Sequence, residues 1–316
     1  MKTAFIFPGQ GSQQVGMGKA MAETFPAARA VFDEVDEALG QKLTQVMWEG
    51  PEADLTLTEN AQPALMAASL AAVRVLESEH GVSVADTARF VAGHSLGEYS
   101  ALAAAGTFTL ADTARLLKVR GRAMQQATPV GTGAMAALLG LDYAEAAAIA
   151  GEAAEGEVCQ AANDNAAGQV VVSGHKAAVE RAVAIAKGRG AKRAILLPVS
   201  APFHCALMQP AADAMAEALS SVRMQAPSVP LVSNVAARAL CVPSEIRDGL
   251  VAQVTGTVRW RECMGFMASK GVTHFWEIGA GKVLTGLVKR TAPEASGLSL
   301  GTPAEIAAAA EQLRGD

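Results

Sequence analysis

Gly93-His94-Ser95-Leu96-Gly97 sets a serine between two glycines, a spacing that lets the chain turn sharply and present the hydroxyl at the tip. Phe90-Val91-Ala92 before it reads as a buried strand, and the alanine-rich run after it as a helix to about Ala105. Ser95 is the candidate nucleophile. The Leu96 N–H falls at the start of that helix, where amides lack intrahelical partners and the macrodipole favours negative charge, which suits an oxyanion. A serine hydroxyl needs a base, and five histidines are available. His94 adjoins Ser95 on the bend, so its side chain is expected to point elsewhere. His80 and His175 fall near a helix end and a helix start, where solvation is the simpler reading. His274, in a strand beside Phe275 and Trp276, reads as a core histidine. His204 remains, in the loop Ser200-Ala201-Pro202-Phe203-His204-Cys205, and is the expected base. No acid ahead of it is an obvious third member, which leaves a backbone carbonyl to orient the ring.

A helix is expected over residues 110–126, with Thr109 as its N-cap. At 100° per residue, Leu110, Ala114, Leu117, Gly121 and Met124 form one apolar stripe, and Arg115, Lys118 and Arg122 lie opposite as a solvated face. Arg120 belongs to neither set: it sits on the flank of the apolar stripe. A guanidinium turned inward needs an anionic partner. Two readings stand side by side, a structural salt bridge and a bidentate clamp for a substrate carboxylate.

The elements that must position these residues divide into two sets. Ala4-Phe5-Ile6-Phe7 is a short buried strand ended by Pro8-Gly9-Gln10-Gly11. Helical periodicity runs over about 18–39, and a further helix over 61–79 opens at Pro63. Residues 128–199 change character: strand 134–139, helix 143–154, strand 158–162, a turn at Asn163-Asp164-Asn165, strand 169–173, helix 175–188 and strand 193–197. That β-α-β-β-α-β order is the order of a ferredoxin-like unit, inserted into an α/β chain that resumes after Pro198. Strands at 229–233 and 273–278 follow, with helices at 206–219, 243–254, 260–269, 281–290 and 303–314.

Composition narrows the function classes. The 316 residues carry 26 Lys+Arg against 31 Asp+Glu, a net charge of −5, so no basic excess exists to neutralise a nucleic-acid backbone. About a fifth of the residues are alanine, which favours closely packed helices. Cys159, Cys205, Cys241 and Cys263 show no CxxC spacing, so neither a metal site nor a disulfide frame is expected. The apolar core near the N-terminus is too short for a signal peptide, and no segment approaches the ~20 apolar residues of a membrane span. A soluble, cytoplasmic chain is expected. Gly9, Gly11 and Gly16 follow a strand, but Gln14 stands where a dinucleotide fingerprint needs its third glycine. Gly18-Lys19 and Gly281-Lys282 fail as phosphate loops, because Ala20 and Val283 replace the hydroxyl that would hold Mg²⁺.

Phe7-Pro8-Gly9-Gln10-Gly11-Ser12-Gln13, Gly93-His94-Ser95-Leu96-Gly97-Glu98-Tyr99, Arg120-Gly121, Ala162-Asn163-Asp164-Asn165 and Pro202-Phe203-His204 occur together in this order. In that combination the chain closely resembles the malonyl-CoA:acyl carrier protein transacylases, the stand-alone malonyltransferases of bacterial type II fatty acid synthesis. The likeness runs from the N-terminus through Gly279-Ala280-Gly281-Lys282-Val283-Leu284. It implies an α/β-hydrolase-like subdomain of residues 1–127 and 200–316 and a ferredoxin-like small subdomain of 128–199. It implies that Ser95 is acylated, that His204 acts as base and then acid, and that Gln253 orients His204 through its carbonyl. Gln10 and Leu96 would supply the oxyanion amides. Arg120 would bind the malonyl carboxylate, with Phe203, Met124 and Asn163 assigned beside it to substrate binding. In related acyltransferase domains a Phe before the His accompanies malonyl and a Ser accompanies methylmalonyl, so Phe203 points to malonyl-CoA as donor and holo-acyl carrier protein as acceptor. No bound cofactor and no metal are implied, since CoA and phosphopantetheine travel on the substrates; nor is a membrane, a nucleic acid or more than a monomer. A basic patch for the acidic carrier is expected from Lys187, Arg189, Lys192 and Arg193, or from Lys282, Lys289 and Arg290. A serine thioesterase or esterase using the same Ser-His pair is the alternative.

Overall fold

Ala4-Phe5-Ile6-Phe7 offers no polar side chain to either face, and the strand it forms, β1 (Thr3–Phe7), is buried along its whole length. The structure is a computed structural model that describes residues 2–199 and 201–315. β1 lies between β2 (Ala88–Gly93) and β9 (His274–Ile278), parallel to both. β10 (Ser296–Leu300) extends the sheet beyond β9, and β7 (Leu231–Val232) and β8 (Ala239–Leu240) extend it beyond β2, giving the order β10-β9-β1-β2-β7-β8. Only β8 runs antiparallel to its neighbour. Phe5 and Phe7 enter the core on one face, while Ala4 and Ile6 enter the core on the other. A parallel sheet covered on both faces requires such unbroken apolar runs.

A second sheet of β3 (Gly133–Leu139), β4 (Cys159–Ala166), β5 (Gln169–His175) and β6 (Arg193–Leu196) is wholly antiparallel, in the order β4-β5-β3-β6. Its helices, Tyr143–Ala154 and Lys176–Gly188, pack on it around a core of its own that includes Leu138, Ile149, Val170, Val172 and Val179. Ser200, at the expected return to the first unit, lies outside the described residues.

Several expectations need correction. The helix over 18–39 is two helices, Lys19–Thr24 and Pro26–Leu39, because Pro26 drives Phe25 into an extended conformation. The helix expected to open at Pro63 begins at Thr58 and runs to His80 with Pro63 inside it. The turn expected at Asn163-Asp164-Asn165 is strand: β4 runs through it with register shifts after Ala161 and after Asp164, and the hairpin turns at Ala167-Gly168, where Gly168 has φ +67°. These polar residues mark contacts between the two units rather than a turn. Asp164 is buried and pairs with Arg261, whose Nε lies 3.1 Å from Oδ1 and 3.0 Å from Oδ2 and whose Nη2 lies 2.8 Å from Oδ2. Its N–H donates to Val258 O at 2.9 Å. The strand expected over 229–233 is only Leu231–Val232, and the short strands β8 and β10 have no counterpart among the expected elements.

The helix Leu110–Gln126 forms as expected. Thr109 Oγ1 accepts the Asp112 N–H at 3.1 Å, and the buried face includes Ala114, Leu117, Arg120, Gly121 and Met124. Lys118 is not fully solvated; its ammonium reaches Gln41 Oε1, Asn60 Oδ1 and Glu59. A Cβ on Gly121 would lie 2.5 Å from Thr58 O, so only glycine lets this helix close onto the start of Thr58–His80. No helix among the described residues is long and apolar enough to cross a membrane.

Asp164→Asn removes the charge that holds Arg261 across the two units. Because Arg261 is partly solvated, the expected loss is about 1–2 kcal/mol of unfolding free energy, read by urea denaturation; an unchanged midpoint would show that the pair contributes nothing.

Candidate active site

The bend after β2 is closed by sterics. A Cβ on Gly93 would stand 1.9 Å from the Gly97 carbonyl, and a Cβ on Gly97 would stand 2.4 Å from Phe7 O. Between them Ser95 takes φ +53°, a left-handed conformation that costs a non-glycine residue energy. Asn234, two residues beyond β7, holds the bend from below: its Oδ1 accepts the Ser95 N–H and its Nδ2 donates to Gly93 O, both at 2.8 Å. Ser95 Oγ lies 2.8 Å from His204 Nε2.

His204 also has a left-handed backbone, φ +57°. Its Nδ1 lies 2.9 Å from the carbonyl oxygen of Gln253, in the helix Pro243–Thr255. A carbonyl only accepts, so Nδ1 carries the proton and Nε2 offers its lone pair to the Ser95 hydroxyl. Burial, with the positive charge of Arg120 nearby, pushes the His204 pKa down to about 3. The imidazole is neutral, as a base must be.

Arg120 is 1% exposed. Nη1 donates to Gln62 Oε1 at 2.9 Å; Nη2 donates to Gln253 Oε1 at 2.8 Å and to Ser95 Oγ at 3.2 Å. The guanidinium lies over the Tyr99 ring, 5.7 Å from its centroid. No carboxylate stands within ion-pair distance of it among the described residues, so the structural salt bridge weighed from the sequence is absent.

Ser95, Leu96, Gln10, Arg120, Met124, Asn163, Phe203 and His204 all line one cavity of about 620 Å³ between the two units. Gln253 stands behind it. The backbone N–H groups of Gln10 and Leu96 have no hydrogen-bond acceptor among the described residues. His94 does not turn away from the site: it lines the same cavity, with Nε2 2.8 Å from Asn165 Oδ1, and burial lowers its pKa. His274 is not a core residue; it is half-buried at the start of β9, with Nδ1 beside Thr273 Oγ1. His175 is only part-solvated, since its Nδ1 accepts the Val158 N–H.

Four residues of this site are given no site role by the sequence: Gln62, Glu98, Asn165 and Asn234. Glu98, buried in the first turn after the bend, accepts the Asn234 N–H at 2.5 Å on one oxygen and Gln253 Nε2 on the other. Burial pushes its carboxyl pKa up, against the downward pull of these donors and of Arg120, and with both oxygens accepting N–H bonds the group is placed as a carboxylate. An acid inside an otherwise apolar helix is the available signal. Asn234 gives none, since its role depends on β7 ending beside β2. Among the described residues, no group of three or more His, Cys, Asp or Glu is placed to hold a metal ion. Of the basic patch, Arg189 pairs with Glu145 and Glu152, and Lys282 with Glu305. Arg290 bonds Gln169 and Ala167 O. Lys187, Lys192 and Arg193 are exposed or partly so.

The acyl transferase domain family matches residues 4–309. The chain is 49% identical over 308 residues to the malonyl CoA-acyl carrier protein transacylase of Escherichia coli strain K12, covering 98% of each. It superposes with a TM-score of 0.97 on the crystal structure of an acyl-carrier-protein-S-malonyltransferase from Bartonella henselae, at 57% identity over 99% of this chain and 100% of that one. A malonyl-transacylase solved in complex with its type II polyketide acyl-carrier protein gives a TM-score of 0.95 at 42% identity, over 99% of this chain and 100% of that one.

An imidazole with an ordinary pKa near 6.5 would lose activity about 30-fold between pH 7.5 and 5. With His204 held neutral to about 3, acylation of Ser95 by a neutral sulfonyl fluoride should keep a plateau across that range, and an acid limb centred at pH 6–7 would contradict the assignment. The same shift makes stability fall as pH drops from ~6.5 towards 3, since the unfolded chain takes up a proton that the folded one refuses.

Proposed function

The chain belongs to the acyl transferase domain family, among the malonyl CoA-acyl carrier protein transacylases, and we propose the route by which this acyltransferase moves a malonyl group from malonyl-CoA to acyl carrier protein. Ser95 Oγ attacks the thioester carbonyl carbon while its proton passes to His204 Nε2. The amides of Gln10 and Leu96 receive the oxyanion, donors of a kind worth ~10²–10³ in rate each. The tetrahedral intermediate collapses, the C–S bond breaks, and CoA leaves with the proton held by His204. A malonyl-Ser95 ester remains. The phosphopantetheine thiol of holo-acyl carrier protein then gives its proton to His204 and attacks the ester carbon, and Ser95 leaves with that proton. Every atom comes from the two substrates and the Ser-His pair, so the route calls on no bound cofactor and no metal.

One observation carries the choice of acyl group. A buried guanidinium lines the nucleophile's cavity, touches Ser95 Oγ and has no acid at ion-pair distance among the described residues. Such a group wants an anion, and a carboxylate one methylene from the reacting carbonyl would meet both Arg120 and Ser95. Phe203, Met124 and Asn163 then wall the acyl pocket, and Phe203 before the base favours malonyl over methylmalonyl.

The order β4-β5-β3-β6 with its two helices supports reading residues 128–199 as a ferredoxin-like subdomain, and the bend at the end of β2 supports an α/β-hydrolase-like subdomain of 1–127 and 200–316. Lys187, Lys192 and Arg193 form the part of the basic patch left for the acidic carrier protein. We take the enzyme to work as a cytoplasmic monomer without membrane or nucleic acid, supplying extender units for fatty acid synthesis; four free cysteines suit a reducing compartment.

Incubation with malonyl-CoA should add one malonyl group to Ser95 in the intact mass, and the adduct should persist until holo-acyl carrier protein removes it. An adduct lost to water at the same rate without the carrier would make the chain a thioesterase instead. Arg120→Ala should lower acylation by malonyl-CoA at least ~100-fold while changing acylation by acetyl-CoA far less, because only malonyl carries the charge that the guanidinium pairs. Equal loss with both donors would make Arg120 structural.

A further inference from the structure

Building on the malonyl-transfer reading, we propose that Glu98 is a positioning residue for Arg120: a buried carboxylate that fixes which way the Gln253 side-chain amide faces, and through it the guanidinium that takes the acyl carboxylate. Glu98 follows the nucleophile by three residues and is 1% exposed. Each of its oxygens receives an N–H, one from the Asn234 backbone and one from Gln253 Nε2, which is the arrangement of an ionised carboxylate.

Gln253 is fully buried, and an amide can face two ways. Its Nε2 donates to Glu98 and also to Ser95 O at 2.9 Å, which leaves Oε1 for Arg120 Nη2 at 2.8 Å. Turning the amide over would set an oxygen against a carboxylate and a carbonyl, and N–H groups against the guanidinium. Glu98 therefore permits one orientation.

The relay also settles a conflict in charge. A buried guanidinium needs compensation, yet an acid in direct contact would compete with the substrate for the same N–H groups. Placing Glu98 behind a neutral amide supplies the negative charge without occupying the clamp. At the other end Gln62 has the same pose, with Oε1 on Arg120 Nη1 and Nε2 towards Met124 Sδ at 3.7 Å. Two amide oxygens hold the guanidinium, and neither neutralises it.

The test compares acylation of Ser95 by malonyl-CoA and by acetyl-CoA, followed by intact mass against donor concentration, in the parent, in Glu98→Gln and in Glu98→Asp. In Glu98→Gln the backbone N–H of Asn234, which cannot turn, keeps the new amide oxygen, so the NH₂ faces Gln253 Nε2 and the Gln253 amide turns its N–H groups on Arg120. The malonyl-to-acetyl ratio should fall at least tenfold in Glu98→Gln, chiefly through weaker binding of malonyl-CoA, and Glu98→Asp, which keeps the charge, should recover part of it. A purely structural role would lower both donors by one factor; that result, or a ratio within threefold of the parent, overturns the proposal. If Glu98→Gln does not accumulate as folded protein, Glu98→Ala, where water can fill the space, is read by the same ratio and the same limits. A parent that takes no malonyl would sink the functional reading itself, before any variant is compared.

Discussion

Everything at this site depends on burying a cation beside a neutral base. Arg120 and His204 both line the cavity, and the guanidinium's charge is part of what keeps the imidazole unprotonated. That arrangement costs less the more of the remaining polar atoms find a partner away from water. Gln253 meets most of the demand. Its carbonyl oxygen sets the His204 tautomer, its side-chain oxygen faces Arg120, and its side-chain nitrogen ties Glu98 and the Ser95 carbonyl. One residue thus serves base, cation and bend at once, from a helix that contributes no atom to the cavity wall.

The small sheet is not a passive cover. β4 lies along the segment that follows the Gln253 helix: Val258 N–H donates to Ala162 O, Asp164 N–H to Val258 O, and Thr257 Oγ1 to Ala161 O. Asn163 faces the cavity from the same strand, and Asn165 holds His94. The register irregularities in β4 are where these side chains are turned towards the first unit. The cavity is therefore shaped by both units, with the second placed by backbone bonds to the loop that trails the base's anchor.

The nucleophile, the base, the cation and the helix cap at Thr109 are legible because each rests on a short-range pattern: glycine spacing, a strand before a helix, an Arg off its expected face. What stays hidden depends on contacts far apart in the chain. Asn163-Asp164-Asn165 carries turn residues, yet it pairs with β5 and meets Arg261 and His94 across the interface, contacts that lie far off in the chain. His94 reads wrongly from its neighbour because the cavity it lines is not visible in the chain order. Helix Pro26–Leu39 merges with its predecessor in the sequence because apolar spacing continues through Phe25 although the backbone does not. Asn234 and Gln62 are ordinary polar residues in sequence, and their work appears only once the sheet order is known.

Ser95 and His204 come from separate loops, yet both adopt the left-handed backbone that glycine and asparagine occupy at little cost. The pair on which turnover rests thus sits on strained backbone, which among the other described non-glycine residues only Glu155 and Ala237 share. A laboratory lineage selected for thermal endurance alone would be rewarded for losing both side chains, so durability and turnover pull these two sites in opposite directions.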